Sequence, residues 1–298
     1  NAGRCAPTRA SLLTGLYPHK AGVGEMVTPE NRPGYYGRLS EESVTTAEVL
    51  REAGYQTFMS GKWHVTHYDY SGDTTVLHKE TWPLQRGFDR FFGTISGAGS
   101  YYTPKSLMSG NTFITPADSF YYTTAITDTA IAFLEDADSN TPFFLYMAHV
   151  APHWPLHAPE DLIDKYVTRY TAGWDEVRKA RLDKQLALGI FETTINHNQL
   201  PALENKWEDE EFKEWQIYRM AVYAAQLELV DQGIGKLITK LKELNLFDNT
   251  MIIFLSDNGG SPEIINGVDT RHGYFENGGT RTDVLPGQPD TYASYGPT

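Results

Sequence analysis

The residue with the most reactive side chain in this sequence is its single cysteine, Cys5, which lies four positions before Arg9. A nearby cation favours the thiolate over the thiol, so Cys5 could act as a nucleophile with a histidine as its base. The alternative is an inert buried thiol, which is common in proteins. One cysteine also excludes an intrachain disulfide and a zinc site built from several cysteines.

Three further groups of polar residues each follow a short apolar run that predicts a β-strand. Side chains that follow the carboxyl ends of parallel strands meet at one edge of the sheet, where ligands bind in open α/β folds. Taken singly, each has a structural explanation as a surface charge, a loop histidine or a turn. The residues are Lys62 and His64 after 56–60, His153 after 143–147, and Asp257 and Asn258 after 251–255.

The pair Asp257 and Asn258 has two interpretations. Asn258 precedes Gly259, and Asn-Gly is a favoured turn pair that a preceding aspartate can cap. Carboxylate and amide oxygens are also the ligands that a hard cation such as Ca²⁺ prefers. The residues alone leave both a turn and a calcium site open.

Four segments of the sequence resemble the signatures of the type I sulfatases, the formylglycine-dependent arylsulfatases of the alkaline phosphatase superfamily. The segments occur in the family's order and extend over most of the chain. They are Cys5-Ala6-Pro7-Thr8-Arg9 followed by Leu13-Thr14-Gly15, the stretch from Gly54 to Gly61-Lys62-Trp63-His64, Ala151-Pro152-His153-Trp154-Pro155, and Ser256-Asp257-Asn258-Gly259-Gly260.

The resemblance implies a role for each matching side chain. Cys5 would be oxidised after translation to formylglycine, an aldehyde whose hydrate is the nucleophile. Arg9 would hold this group, and Lys62 would bind the sulfate. His64 would take the proton whose loss expels sulfate, and His153 would bind sulfate and act as general acid. Among the remaining histidines, His149 and His157 are weaker candidates.

The resemblance also implies a divalent ion, Ca²⁺ or alternatively Mg²⁺, bound by Asp257, Asn258 and the modified Cys5. The expected reaction is hydrolysis of an aryl, alkyl or carbohydrate sulfate ester to an alcohol and sulfate. The expected partners are that substrate and the enzyme that generates formylglycine, with the oligomeric state left open. A periplasmic or secreted location is favoured because similar bacterial enzymes are often exported.

Two elements of the family pattern are missing at the ends of the sequence. The family has an Asp-Asp pair before the cysteine motif, whereas four residues precede Cys5 in this chain. It also has a sulfate-binding lysine after the Asp-Asn pair, whereas no lysine follows Lys242. We therefore expect a fragment of a sulfatase catalytic domain that is inactive by itself.

Three other functions fit part of the pattern. The first is a phosphonate or phosphate diester hydrolase of the same superfamily. The second is an inactive relative that binds sulfated glycans, and the third is a plain thiol hydrolase. The aromatic residues Trp63, Trp154, Tyr101 and Tyr102 could line a wall for an aryl or sugar group.

The order of the predicted strands and helices around these residues indicates an α/β fold, with a mostly parallel sheet and helices on both of its faces. A capping box at Thr45 and Glu48 opens a helix that ends near Gly54, just before the strand at 56–60. A second helix at 126–138 precedes a strand at 143–147 whose continuous apolar residues predict burial on both sides.

The longest helical pattern runs from Asp209 to Leu244, with a bend or break expected at Gly233 and Gly235. It precedes the apolar strand at 251–255. We interpret 1–298 as one partial catalytic domain and the segment 158–204, which is polar and aromatic without a clean period, as a helical insertion.

The composition limits the classes of partner. Lys and Arg number 25 and Asp and Glu 38, which gives a formal net charge of −13. This balance argues against a nucleic-acid-binding protein and against docking on anionic membranes. An anionic substrate would need a local cationic pocket, because the net negative charge of the whole chain repels it. A run of about 18 apolar residues is absent, so no membrane span is predicted.

Overall fold

The computed structural model of the chain describes residues 3–68, 78–191, 206–260, 285–289 and 291. Within these residues the chain forms two compact units. The larger unit comprises 3–153 and 228–260, and the smaller unit comprises 154–227 together with 285–291. The catalytic and metal-binding residues predicted from the sequence all belong to the larger unit.

The larger unit contains a five-stranded sheet in the order β4-β3-β2-β1-β5. Strand β1 pairs in parallel with β2 and with β5, while β2–β3 and β3–β4 are antiparallel. The α/β class is confirmed, as a mixed sheet. The strands are β1 (Gln56–Gly61), β2 (Arg90–Thr94), β3 (Leu107–Ser109), β4 (Thr112–Phe113) and β5 (Phe143–Ala148).

Six α-helices accompany the sheet in the described part of the chain. Helices α1 to α3 belong to the larger unit, α4 and α5 to the smaller unit, and α6 contributes residues to both. They are α1 (Cys5–Thr14), α2 (Thr46–Glu52), α3 (Tyr122–Glu135), α4 (Glu160–Val167), α5 (Gly173–Ala187) and α6 (Lys213–Glu243).

Alternate residues of β1 and its extension pack on opposite faces of the sheet, as the two-residue period of a strand requires. Met59 and Trp63 belong to a core cluster with Ala6, Ala10 and Leu13 of α1. This cluster fixes α1 against one face of the sheet and so sets where the first residue of that helix lies.

The other face of the sheet carries α3 and the last turns of α6. Phe58 packs with Phe133 and Leu134 of α3 and with Leu241 of α6 in a second cluster. Ser60, also on this face, donates its hydroxyl to a backbone carbonyl of α3. The predicted arrangement, with helices on both faces, is therefore present.

The capping box that the sequence predicts is present at the start of α2. The Thr45 hydroxyl accepts from the backbone N–H of Glu48 at 3.1 Å, and the Glu48 carboxylate accepts from the backbone N–H of Thr45 at 2.6 Å. Gly54 has a φ of 87° just after the helix, the left-handed conformation that glycine adopts most easily. Local sequence thus fixes the entry to β1.

The break predicted at Gly233 and Gly235 is wrong, because α6 runs without interruption from Lys213 to Glu243. Gly233 is buried where α6 passes α3, and a Cβ atom there would overlap the hydroxyl of Thr127. Gly235 is exposed and has open space where its Cβ would be. Packing between α6 and α3 thus outweighs the low helix propensity of glycine.

These two glycines predict opposite effects of alanine. Gly235→Ala should raise the free energy of unfolding by about 0.5–1 kcal/mol, since it adds only helix propensity. Gly233→Ala should lower it by about 1–3 kcal/mol, since the methyl group must push α3 away. Urea denaturation of the two variants checks this, and equal effects would show that the contact with Thr127 does not constrain α6.

The strand predicted at 251–255 is also wrong in this structure. The segment pairs with none of the described strands, and its apolar side chains are exposed, with Met251 at 86% and Phe254 at 79%. Similarly, β5 is half-buried instead of fully buried, because it is the last described strand on its side of the sheet. Apolar composition favours a strand, but a strand forms only beside a backbone partner.

The smaller unit has its own apolar core. Ala221, Val222 and Ala225 of α6 pack with Ile163 of α4 and with Leu156. Helices α4 and α5 lie within the segment 158–204, and its identification as an insertion stays a prediction. No helix among the described residues is long and apolar enough to cross a membrane.

Candidate active site

Cys5 is the first residue of α1, where the backbone N–H groups of a helix are not yet paired within it. The residue is buried, with 9% of its surface exposed. The positive end of a helix dipole at this position favours an anion, either a thiolate or an oxyanion. The fold therefore presents the side chain of residue 5 at a ready-made anion site.

Lys62 and His64 follow β1 at its carboxyl end, as predicted. The backbone N–H of Lys62 donates to the carbonyl of Ala148 at 2.8 Å, and the N–H of His64 donates to the carbonyl of Ile95 at 3.1 Å. Trp63 lies between these two residues in the sequence and packs on the opposite face of the sheet, where its indole N–H donates to the backbone carbonyl of Thr81. The chain thus continues across both neighbouring strands and buries Lys62 and His64 at 2% and 4% exposure.

His153 lies in the loop after β5. Its backbone N–H donates to the carbonyl of Val150 at 2.9 Å, and its own carbonyl accepts from the hydroxyl of Tyr101 at 2.9 Å. The His153 side chain interacts with the thiol of Cys5 closely enough to lower the pKa of that thiol. Strand ends β1 and β5 therefore bring Lys62 and His153 to the same thiol, as the rule for parallel sheets predicts.

Arg9 connects the ends of β1 and β5 with Asp257. Its Nε donates to Asp257 Oδ2 at 2.9 Å, and Nη1 donates to the Lys62 carbonyl at 2.7 Å and to the Tyr146 hydroxyl at 3.3 Å. Nη2 lies 3.4 Å from the His149 carbonyl. The guanidinium is buried, so these contacts fix its position and that of Asp257 as well.

The surroundings of Cys5 favour its thiolate. Burial alone would raise the pKa of Cys5, but the charge of Lys62, the hydrogen bond and charge of His153, and the charge of Arg9 together lower it from 9.0 to about 6. Burial lowers the pKa of Lys62, while the negative groups of Cys5 and Asp257 oppose that shift. The pocket therefore holds cations that need an anion beside them.

Asp257 balances part of this positive charge. Burial would raise its pKa, yet Arg9 and Lys62 hold the pKa of its carboxyl below the usual 3.8. The carboxylate is therefore ionised at neutral pH. Once residue 5 carries no negative charge, as in the aldehyde that the family resemblance implies, Arg9 and Lys62 against Asp257 would form the cationic pocket that an anionic substrate requires in a chain of net charge −13.

The thiolate predicts a pH-dependent labelling experiment. Alkylation of unmodified Cys5 by iodoacetamide should rise with a midpoint near pH 6, because only the thiolate reacts. Lys62→Met should move the midpoint upward, since it removes the strongest lowering influence. Cys5 is the sole cysteine, so labelling reports on it alone. A midpoint near pH 9 in the native protein would contradict the described cluster.

Asn258 does not join the cluster. Its carboxamide donates to the neighbouring carbonyl of Gly259 at 2.7 Å, while the Asp257 carboxylate pairs with Arg9. No group of three or more His, Cys, Asp or Glu side chains that could hold a metal lies among the described residues. The three predicted ligands, Asp257, Asn258 and modified Cys5, fall short of the six to eight oxygens that Ca²⁺ takes. These residues by themselves do not complete a metal site.

Two residues of the site were missed by sequence reasoning. Tyr146 was hidden in the apolar run of β5, although its hydroxyl contacts Arg9. His149 was ranked low, but both its ring nitrogens are buried and have no hydrogen-bond partner among the described residues. Burial and the charge of Arg9 lower the pKa of His149 to about 4, so a neutral imidazole lies beside the guanidinium.

Some aromatic and histidine candidates have structural roles instead. Trp63 and Tyr101 are fully buried, so neither lines an open wall for an aryl or sugar group. His157 is also fully buried, and its Nε2 lies 2.9 Å from the carbonyl of Thr291. Tyr101 nevertheless contributes to the site indirectly, since its hydroxyl positions the backbone of His153.

The chain matches known proteins over nearly its whole length. A family profile described as Sulfatase matches residues 1–294. An uncharacterized sulfatase of Schizosaccharomyces pombe is 34% identical in an alignment of 294 positions that covers 90% of this chain and 51% of that protein. The arylsulfatase of Klebsiella aerogenes is 30% identical in an alignment of 310 positions that covers 98% of this chain and 64% of that protein.

Solved structures agree with these relatives. The crystal structure of Ps i-CgsB in complex with k-i-k-neocarrahexaose is 26% identical, with a TM-score of 0.56 over 86% of this chain and 48% of that chain. The chain thus spans about half the length of the proteins that it matches. Its cysteine motif, its cationic pocket and its matches from residue 1 to residue 294 lead to one conclusion: this chain belongs to the sulfatase family.

Proposed function

We propose that the protein to which this chain belongs hydrolyses sulfate esters with a formylglycine hydrate derived from Cys5. One observation carries the proposal: the Cys5 side chain lies buried at the start of α1, where Lys62, His153 and Arg9 are all near enough to lower its pKa. These cationic and hydrogen-bonding side chains around residue 5 suit a formylglycine hydrate, whose hydroxyl oxygens would contact an anionic ester. The thiol marks where that group would lie.

Lys62, Arg9 and the N-terminus of α1 supply the positive charge for the ester. A sulfate ester is anionic, and its nonbridging oxygens must be held while the bond to the alcohol breaks. Lys62 is buried and interacts with the side chain of residue 5, so its ammonium group would bind those oxygens. Arg9 is held by Asp257 and by two carbonyls, so it orients residue 5 without moving.

Two histidines would manage the protons. A formylglycine hydrate supplies two hydroxyls on one carbon, one to attack the ester and one whose deprotonation expels sulfate. His153 lies against the residue 5 side chain and would donate a proton to the departing alcohol. His64, held on the extension of β1, would accept the proton of the second hydroxyl.

The calcium ion stays a prediction. Asp257 and Asn258 offer oxygen ligands, but the described residues do not complete a site for the ion, and any further ligands must come from outside them. The roles proposed for Lys62, Arg9, His64 and His153 therefore rest on protein contacts alone.

The proposal is tested on the whole protein, produced with and without a formylglycine-generating enzyme. Matured protein should show an aldehyde at residue 5, seen by mass spectrometry as a loss of mass from the Cys5 peptide, and should hydrolyse an aryl sulfate. An aryl phosphonate diester is the competing substrate. Equal activity of protein with an unmodified thiol would favour a thiol hydrolase. Faster hydrolysis of the phosphonate would favour the diesterase alternative.

The position of His64 can be tested through Gly97. A Cβ atom on Gly97 would overlap the imidazole of His64, so Gly97→Ala should displace that ring. Misplacement of a catalytic group by about 1 Å can cost on the order of 10²-fold in rate. We expect a burst of one equivalent of alcohol followed by slow turnover, because release of sulfate is the step impaired. Gly235→Ala is the control, and an unchanged rate in Gly97→Ala would remove His64 from the mechanism.

A further inference from the structure

The smaller unit contains a cavity of about 330 Å³ that shares no residue with the Cys5 site. This volume lies at the lower end of the range for small-ligand pockets. Its walls come mainly from α5 and from the first turns of α6. The residues that matter most are Trp174, Val177, Arg178, Arg181, Trp207 and Arg219.

One face of α5 lines this cavity. Trp174, Val177, Arg178 and Arg181 follow at positions i, i+3, i+4 and i+7, which lie on one side of a helix. Trp174, Val177 and Arg178 are partly buried, and Arg181 is exposed. The helix therefore directs a stripe of one indole and two guanidinium groups at the cavity, instead of the wholly apolar stripe that packs a helix onto a core.

The aromatic part of the wall is a pair of indoles. Trp174 and Trp207 meet edge to face, with ring centroids 4.8 Å apart and planes at 79°. Both rings are partly exposed at the cavity. In this arrangement the rings offer two surfaces at nearly right angles, a corner against which the flat apolar side of a sugar ring can pack.

The charged part of the wall is positive. Three arginines line the cavity, and no acidic residue does so within the described part of the chain. Arg219 is 5% exposed, and burial lowers its pKa to about 10, with the charge of Glu210 opposing. Glu210 is not one of the lining residues, and its carboxylate accepts from the Gln216 amide at 3.2 Å. The side-chain oxygen of Gln216 is buried and has no hydrogen-bond partner among the described residues, so it can accept from a ligand hydroxyl.

We propose that this cavity binds one sulfated sugar residue of a saccharide, with the ring against Trp174 and Trp207 and the sulfate on Arg178 and Arg181. Guanidinium groups bind such oxyanions through paired hydrogen bonds, and an apolar corner selects a ring over a free ion. The choice of sulfate over carboxylate rests on the proposed function. The other ligand class that uses aromatic and arginine side chains is single-stranded nucleic acid, and the binding experiment below distinguishes it from a sulfated sugar.

Binding is measured by calorimetry on the whole protein carrying Cys5→Ala, so that no turnover consumes the probe. The probes are oligosaccharides of dextran sulfate, unsulfated dextran of the same length, carboxymethyl dextran and a single-stranded oligonucleotide. We expect the sulfated oligosaccharide to bind, with an affinity at least about tenfold above that of the carboxylated one. The Arg178→Gln/Arg181→Gln variant and, separately, Trp174→Ala should each lose at least about tenfold in affinity.

Lys179→Gln is the matched control, since Lys179 is exposed on the same helix but does not line the cavity. Its affinity should stay within about twofold of the parent. Unchanged affinity in the double arginine variant, equal binding of unsulfated dextran, or tighter binding of the oligonucleotide would each overturn the proposal. Failure of the proposed function is measured separately, by hydrolysis of an aryl sulfate. It would appear as equal rates for the matured wild-type protein and the Cys5→Ala variant.

Discussion

Replacement of Cys5 by serine is expected to lower steady-state hydrolysis of an aryl sulfate by the whole protein by about 10⁴-fold or more, as removal of a catalytic nucleophile does elsewhere. A serine hydroxyl at the start of α1 still faces Lys62 and His153 and can attack the ester once. The sulfated serine lacks a second hydroxyl on the same carbon, so His64 has no proton to remove and sulfate stays attached.

The measurement is a rapid-quench time course combined with mass spectrometry of the peptide that contains residue 5. Cys5→Ser should release at most one equivalent of alcohol and accumulate a sulfated peptide. Cys5→Ala should show neither, because it has no nucleophile. Multiple turnover at an undiminished rate in either variant would refute the proposed mechanism, whatever the state of the metal.

Replacement of Arg9 by methionine is expected to lower both stability and activity. The pair with Asp257 is largely buried, with side-chain exposures of 6% and 25%, and loss of one partner from such a pair costs about 3–5 kcal/mol of unfolding free energy. The carbonyls of Lys62 and His149 lose their donor as well. Urea denaturation at pH 7 measures the loss of stability, and turnover is measured on the folded protein.

A second buried pair provides the control. Arg86 and Glu48 lie 3.1 Å apart with the same side-chain exposures, 6% and 25%, but they hold α2 and do not contact the Cys5 cluster. Arg86→Met should therefore destabilise the protein to a similar extent and leave turnover per folded molecule unchanged. Equal turnover in Arg9→Met and Arg86→Met would mean that Arg9 is structural only.

The sign of the pH dependence follows from Asp257. Its pKa in the folded protein lies below 3.8, so its pair with Arg9 contributes stability above that pH and loses it as the pH falls through the folded pKa. In Arg9→Met this contribution is absent. The difference in stability between the variant and the native protein should therefore shrink in acid, which the same denaturation series at pH 3 measures.

The local elements could be read from the sequence because their determinants lie within a few residues. The capping box at Thr45 and Glu48, the left-handed Gly54 and strand β1 all follow from neighbours in the chain. Helix α3 was found with its start displaced, at Tyr122 instead of Ile126. The candidate site residues Cys5, Lys62 and His153 were proposed from motif resemblance and, for Lys62 and His153, from their positions after strands.

Contacts between distant segments could not be read in this way. Sequence reasoning assigned the activation of Cys5 to Arg9, its neighbour in the motif, whereas Lys62 and His153 lower its pKa more. Arg9 instead pairs with Asp257, 248 residues away, and with Tyr146. The continuity of α6 at Gly233 and the exposure of 251–255 were misjudged for the same reason.

By itself, the sequence determined which chemistry is available: one cysteine, a set of cations and histidines behind strands, and the family to which their spacing belongs. Only the tertiary structure decided which of these groups share a pocket, which are paired and which are buried. The physical reason is that propensity and capping act over one helical turn, whereas burial, ion pairing and strand pairing depend on atoms that folding brings together from distant parts of the chain.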